Sequence, residues 1–305
     1  MQDYIVSVIL ELCMIFSVYP QIEGNGNIAL TPPLPWCVLQ RYDWSSYVVM
    51  PPNANGRSLD HTSPRGAQMN KFGTADTDYV ENPEAVQFVG DFMPDAVPFT
   101  ADTHALLYGA LVALANFPDG VAVDLGAGVF KSSNLIGAVF AHGVVFACDT
   151  FTGLPYEWKL GNTNFSVGTF APKCCDSERQ PPFPTLDNVV AVKGQFKDTV
   201  PCLVPMIGNR PLALVHIDSD TYQSAIDGLT PLLPILRVGT VLVFDEFYNY
   251  EGFEDGEYRA FLDLIVAGGF GYAPLAFNRQ HQQVVIQITS LPFENMGVDE
   301  FPSDL

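Results

Sequence analysis

Between residues 121 and 244 the chain repeats one pattern, a short and continuously apolar run followed within two residues by a glycine or an acid. The runs are Val121–Asp124, Gly143–Cys148, Val189–Val192, Leu212–Ile217 and Thr240–Phe244. Segments of helical character separate several of them. Ser132–Ala141 reads as a helix. Tyr222, Ala225, Ile226, Leu229, Leu232, Leu233 and Leu236 fall on one helical face, although Pro231 and Pro234 make its last turns irregular. A strand that is apolar on both faces must be covered on both faces, so the pattern predicts a parallel sheet between helix layers. The fold class is therefore α/β, doubly wound and Rossmann-like.

Regular structure is expected to begin near residue 102, with a helix capped by Asp102 or Thr103 and carrying Leu106, Leu107, Leu111, Leu114 and Ala115. A helix over 255–267 and a terminal antiparallel hairpin, 270–277 with 283–289, complete the reading. Residues 101–305 thus form the main domain. Residues 1–100 read as an irregular N-terminal region, a lid or a dimerising segment, because 20–100 is rich in Pro, Gly and Asn and shows no sustained period. The stretch 4–19 is apolar but contains Glu11, lacks a basic flank and is shorter than a spanning helix needs. It is expected to be a packed helix, a homodimer being the use that suits it, with a signal or membrane anchor as the alternative.

The net charge is −20, from 34 acidic and 14 basic residues. Such a surface repels phosphates and anionic headgroups, which argues against nucleic acid or membrane partners. The cysteines, with no CxxC pair, suggest reduced thiols in a cytoplasmic protein.

In an open parallel sheet, ligands bind beyond the carboxyl ends of the strands. After the first run stands Asp124-Leu125-Gly126-Ala127-Gly128, a turn whose glycines let backbone approach a ligand. Lys131 occupies the place of the third glycine of a dinucleotide fingerprint, which counts against an NAD-dependent oxidoreductase. After the second run comes Asp149, 21 residues beyond Gly128 and placed to accept from ribose hydroxyls. Lys193, Gly194 and Phe196 follow the third run, where an adenine can pack. After the fourth and fifth come His216-Ile217-Asp218-Ser219-Asp220 and Asp245-Glu246. Carboxylates so close repel unless a cation or proton lies among them, and Mg²⁺ prefers such oxygens. Asp218, Asp245 and Glu246 are the expected ligands, with Asp220 as general base; His216 is either catalytic or a satisfied core histidine. Each residue taken singly is also what a helix cap or a plain turn would leave.

Taken together, GVFKSSNLIG, FACDTFTGLPYEW, VKGQFKDTVP, LALVHIDSDTYQSAIDGL and GTVLVFDEFYNYEGFEDGEYRAF, in that order, resemble the class I S-adenosylmethionine methyltransferases of the macrocin O-methyltransferase type. The resemblance runs from about 103 to 289. It implies a mostly parallel seven-stranded sheet with a reversed last strand. It implies that Asp124, Gly126 and Gly128 line the methionine end of S-adenosylmethionine, that Asp149 takes the ribose, and that Asp218 with Asp245 and Glu246 holds Mg²⁺ beside Asp220. The acceptor implied is a small-molecule hydroxyl, on a sugar or a phenolic natural product. The chain departs from the group in the extra Gly-Ala of its first loop and in Glu246, where the group has a second aspartate. Two rivals stand beside this reading. Asp218-Ser219-Asp220 has the form of a glycosyltransferase DxD motif, and a non-catalytic binding protein can share the fold. The acceptor pocket is expected from 20–100 and from the loop 155–187, whose Trp158, Phe165, Phe170 and Phe183 can supply apolar walls or pack on the sheet.

Overall fold

The computed structural model describes residues 82–160, 163–172 and 186–292. The expectations for 1–81, and for Phe183, lie outside these residues.

The five apolar runs form parallel strands β2 (Val121–Leu125), β3 (Val144–Asp149), β6 (Val189–Lys193), β7 (Leu212–Ile217) and β8 (Val241–Phe244). Strands β9 (Gly271–Asn278) and β10 (Val284–Ser290) make the hairpin, β10 antiparallel to both β8 and β9. The sheet has 8 strands in the order β1-β9-β10-β8-β7-β2-β3-β6. The extra member is β1 (Val97–Phe99), parallel to β9 through Val97 opposite Ala276 and Phe99 opposite Asn278. The expected seven strands are thus present and an eighth extends their edge.

This corrects the start of regular structure. A helix α1 (Pro83–Phe92) precedes β1, with Asn82 accepting from the Glu84 N–H and proline in the first turn, a sound helix start. Three strand residues and ten helical residues carry no long period, so periodicity does not mark them.

The alternation within each strand shows why two helix layers are needed. Val121, Val123 and Leu125 face one cluster, with Val200, Leu203, Ala225, Leu229, Ala260 and Phe261. Ala122 faces the other, with Ala105, Ala110, Ala113, Ile136 and Phe140. Fully burying such a side chain is worth about 1.5–3 kcal/mol for the larger apolar types. On the first side lie α4 (Phe196–Ile207), α5 (Tyr222–Leu229) and α6 (Glu257–Phe261); on the second lie α2 (Asp102–Asn116) and α3 (Lys131–Val139).

Helix α2 differs from expectation in its buried face, which is Ala105, Leu106, Gly109, Ala110 and Ala113. Small residues let it sit close to the sheet: a β-carbon on Gly109 would lie 2.6 Å from Val243 Cγ2. Its cap is Ala101, with no side-chain bond, and not Asp102 or Thr103. Helix α5 ends as foreseen in a 3₁₀ stretch, Thr230–Ile235. Helix α6 continues as a π-helical turn, Leu262–Val266. Helix α4 was not expected, because Pro201 and Pro205 lie inside it. A small hairpin, β4 (Trp158–Leu160) with β5 (Thr163–Phe165), stands apart from the main sheet. Cys148 is free and buried, whereas Cys202 is disulfide-bonded, which corrects the expectation of reduced thiols throughout. Among the described residues no helix is long and apolar enough to cross a membrane.

Candidate active site

The strand tips open into a cavity of about 440 Å³ lined by Gly126, Gly128, Asp149, Phe196, Asp218, Asp220, Asp245 and Glu246. Asp102, Trp158, Phe170 and the hairpin residues His281, Gln282 and Gln283 also line it. Eight of the ten predicted site residues therefore meet in one space. Asp124 and His216 do not reach it.

The glycine turn is shaped by what lies against it. Gly126 has φ +110°, and a β-carbon there would stand 1.7 Å from the Asp218 carbonyl oxygen. No other residue fits that approach. The Gly126 and Ala127 N–H groups donate to the Cys148 carbonyl, and the Asp218 N–H donates to that of Leu125. Three neighbouring strand ends are thereby tied together.

Asp149 orients the turn from the next strand. Its Oδ2 accepts from the Gly128 N–H at 2.8 Å and its Oδ1 from the Phe151 N–H at 2.5 Å. Burial raises its pKa, and these two N–H donors oppose the rise. Thr150 Oγ1 adds a long contact to Oδ1 at 3.5 Å, while Oδ2 keeps a lone pair, which suits a ligand hydroxyl.

Asp124 is fully buried and serves the turn from beneath. It accepts from Ser132 Oγ at 2.9 Å, from Ser133 Oγ, and pairs with His216 Nδ1 at 2.7 Å. It pins the first turn of α3 to the sheet and makes no contact with the cavity. His216, 2% exposed, is the core histidine of the two readings. Burial lowers its pKa, but the bond and charge of Asp124, with Asp245 and Glu257 beyond, outweigh burial and raise it. Its Nε2 stands 4.0 Å from Asp245 Oδ1.

The carboxylates regroup relative to the expectation. Asp218, Asp220 and Glu246 bring one oxygen each within 4.8 Å of one another. Asp245, the expected third ligand, is turned aside, accepting from Gln283 Nε2 at 3.1 Å. Asp220 occupies φ +60°, an uncommon conformation for a residue with a side chain, so its placement is imposed by its surroundings. Burial, then the neighbouring carboxylates, raise Asp218 and Glu246 far above the usual range and Asp220 to about 8. Glu246 Oε2 is buried with no hydrogen-bond partner. A buried carboxylate oxygen left alone among other acids is costly. A divalent cation there meets that need, and carboxylate oxygens are the donors Mg²⁺ takes, so these three residues fit such an ion.

Sequence reasoning missed Glu257 and the hairpin loop. Glu257 opens a short helix well past the end of β8, outside the strand-end positions where site residues were sought. The loop 279–283 carries no motif, and only its polar run marked it.

Phe196 lines the cavity as expected, while Lys193 and Gly194 line a neighbouring cleft of about 300 Å³ with Thr150 and Gln195. Trp158 and Phe170 are cavity walls, and Phe165 stacks on Trp158 at 5.0 Å, forming an aromatic group on the small hairpin. A glycosyltransferase DxD site would leave Gly126, Gly128 and Asp149, in the same cavity, without a task.

Residues 121–260 match the family model of macrocin O-methyltransferase (TylF). No curated protein matches the sequence significantly. Among solved structures the chain is similar to the O-methyltransferase NovP, at 20% identity over 61% of this chain and 79% of that one, TM-score 0.44. It is similar to the calicheamicin methyltransferase CalS11, at 18% identity over 76% and 98%, TM-score 0.48. It is also similar to an O-methyltransferase from Bacillus cereus in complex with SAH, at 15% identity over 68% and 89%, TM-score 0.42. The span that matches the macrocin O-methyltransferase model, residues 121–260, holds both the glycine turn and the acidic cluster.

Proposed function

We propose that the chain transfers the methyl group of S-adenosylmethionine to a hydroxyl of a small-molecule acceptor, with a divalent cation such as Mg²⁺ held by Asp218, Asp220 and Glu246. The observation that carries the reading is the one cavity lined by Gly128 and Asp149 together with Asp218, Asp220 and Glu246, whose Oε2 is buried without a partner.

The transfer is an in-line displacement at a sulfonium, so the protein's first duty is alignment. Asp149 holds the ribose hydroxyls and Phe196 packs against the adenine. The Gly126–Gly128 turn lets the methionine end lie close to backbone. The acidic surroundings favour a cationic donor. The attacking hydroxyl must lose its proton. Asp220 faces the same cavity and is the carboxylate placed to take it, through the oxygen not given to the cation. When bound, a divalent cation supplies a Lewis acid that lowers the pKa of a hydroxyl on it. Trp158 and Phe170 give the acceptor an apolar wall, and the hairpin loop at His281 and Gln282 closes the far side.

The test is calorimetric titration of S-adenosylhomocysteine into wild type and Asp149→Ala, followed by methyl transfer from labelled donor to glycosylated and phenolic acceptors, with Mg²⁺ or with EDTA. Tight binding that the substitution abolishes is expected. Absence of binding to the wild type overturns the reading.

A further inference from the structure

Glu257 is fully buried in a region already rich in acids and has no place in the reaction described above. Its two oxygens are divided between two loops. Oε1 accepts from the Ser219 N–H at 2.9 Å and from Ser219 Oγ at 2.8 Å. Oε2 accepts from the Glu246 N–H at 3.1 Å. Ser219 stands between Asp218 and Asp220, and Glu246 follows Asp245. One carboxylate therefore grips the loop after β7 with one oxygen and the loop after β8 with the other.

The chain is pressed inward to allow this. Gly256 has no room for a side chain, since a β-carbon there would lie 2.5 Å from Tyr250 Oη. Tyr250 Oη in turn donates to the Glu246 carbonyl at 3.3 Å, a second hold on the same loop. Charged acceptors make stronger bonds than neutral ones. The Asp245 N–H also donates to the Ile217 carbonyl at 2.8 Å, so the strand ends are joined below and the carboxylate ties the loops beyond them.

We infer that Glu257 is a positioning residue whose carboxylate bridges the two loops and sets the spacing of Asp218, Asp220 and Glu246. The inference rests on the reading that these three hold a divalent cation. It adds the residue that makes them a set, although it touches neither donor nor acceptor. Glutamine is the informative replacement. It keeps the shape and one accepting oxygen, but turns an NH₂ toward the N–H of one loop, so only one grip survives.

Glu257→Gln and Glu257→Asp are compared with wild type by three measurements on the full chain. The first is amide hydrogen exchange without metal. Peptides containing Ser219 and Glu246 exchange at least tenfold faster in the variants, while those containing Gly126 and Gly128 are unchanged. The second is calorimetric titration with MgCl₂ alone, in which affinity falls at least tenfold in Glu257→Gln. The third is titration with S-adenosylhomocysteine, which changes less than threefold and reports that the domain remains folded. Unchanged exchange at both amides overturns the bridge, as does equal loss at all three sites, which would mark a merely structural role. Wild-type protein that binds no Mg²⁺ overturns the cation reading, and the exchange measurement then decides the bridge by itself. Should Glu257→Gln fail to fold, Ser219→Ala removes only the hydroxyl bond, and the same direction of change at Glu246 is expected at smaller size.

Discussion

The two ends of the cavity are built on opposite terms. At the end formed by β2 and β3, every charge has its donors: Asp149 holds two backbone N–H groups, and Asp124 holds two serines and a histidine. At the end formed by β7 and β8, three carboxylates converge and Glu246 Oε2 has no partner. The first end is complete as folded protein. The second reaches balance only with protons or a cation. One half of the site is thus organised before any ligand arrives, and the other half responds to what is in solution.

The largest expected effect would break the first end. Gly126→Ala forces a β-carbon onto the Asp218 carbonyl at a left-handed φ, and a lowering of Tm by about 10 °C or more is expected with loss of S-adenosylhomocysteine binding. A thermal melt and a titration read both. A variant that melts and binds as wild type does would show that the two strand tips are not in contact.

Next in size is Asp220→Asn at the second end. Removing a general base lowers kcat by about 10²–10⁴-fold, while KM for the donor is held by the other end and changes little. Steady-state kinetics with the donor varied separates these. A loss confined to KM would move Asp220 out of the chemistry.

The third prediction concerns pH. Burial, then neighbouring acids, raise Asp218 and Glu246, Asp220 to about 8 and Glu257 to about 7. The folded state keeps these protons while the unfolded chain releases them near its ordinary carboxyl pKa of about 4. Their contribution to stability is full below about pH 4 and is lost as pH rises through about 7 to 8. Metal-free protein should therefore melt several degrees lower at about pH 8.5 than at about pH 5, with Mg²⁺ restoring Tm mainly at the higher pH. A flat profile, or an equal Mg²⁺ effect at both pH values, would remove the contrast between the two ends.

The smallest effect sharpens the ligand set. Glu246→Gln should weaken Mg²⁺ binding by about tenfold or more, whereas Asp245→Asn, which keeps an acceptor for Gln283, should weaken it by about threefold through lost charge alone. Calorimetry on both variants checks the order, and the reverse order would return Asp245 to the set.

How much of this was legible follows from what each signal depends on. The parallel strands were readable because burial on both faces leaves uninterrupted apolar runs such as Leu212–Ile217. The glycine turn and Asp149 were readable because close approach of backbone has few solutions. Helix α4 was hidden by Pro201 and Pro205, and β1 by its three-residue length. Asp124 and His216 were placed at the right strand ends, but their depth beneath the cavity was not readable, since a strand end carries both inward and outward positions within a residue of each other. The swap of Asp245 for Asp220 in the acidic cluster depends on a left-handed φ at 220 and on Gln283, a residue from the distant hairpin. Neither is written in local pattern. Glu257 acts across 38 residues to Ser219, so nothing near it in the chain announces its role.

The contact of Gly126 with the Asp218 carbonyl has a consequence for how this scaffold can diversify. On the proposed reading, donor recognition and acid–base machinery share one backbone joint, so descendants inherit or lose them as a unit. The hairpin tip at His281 and Gln282 lies outside that joint while still facing the reacting space. New acceptors are therefore to be sought by varying the tip, with residues 126 and 218 left as they are.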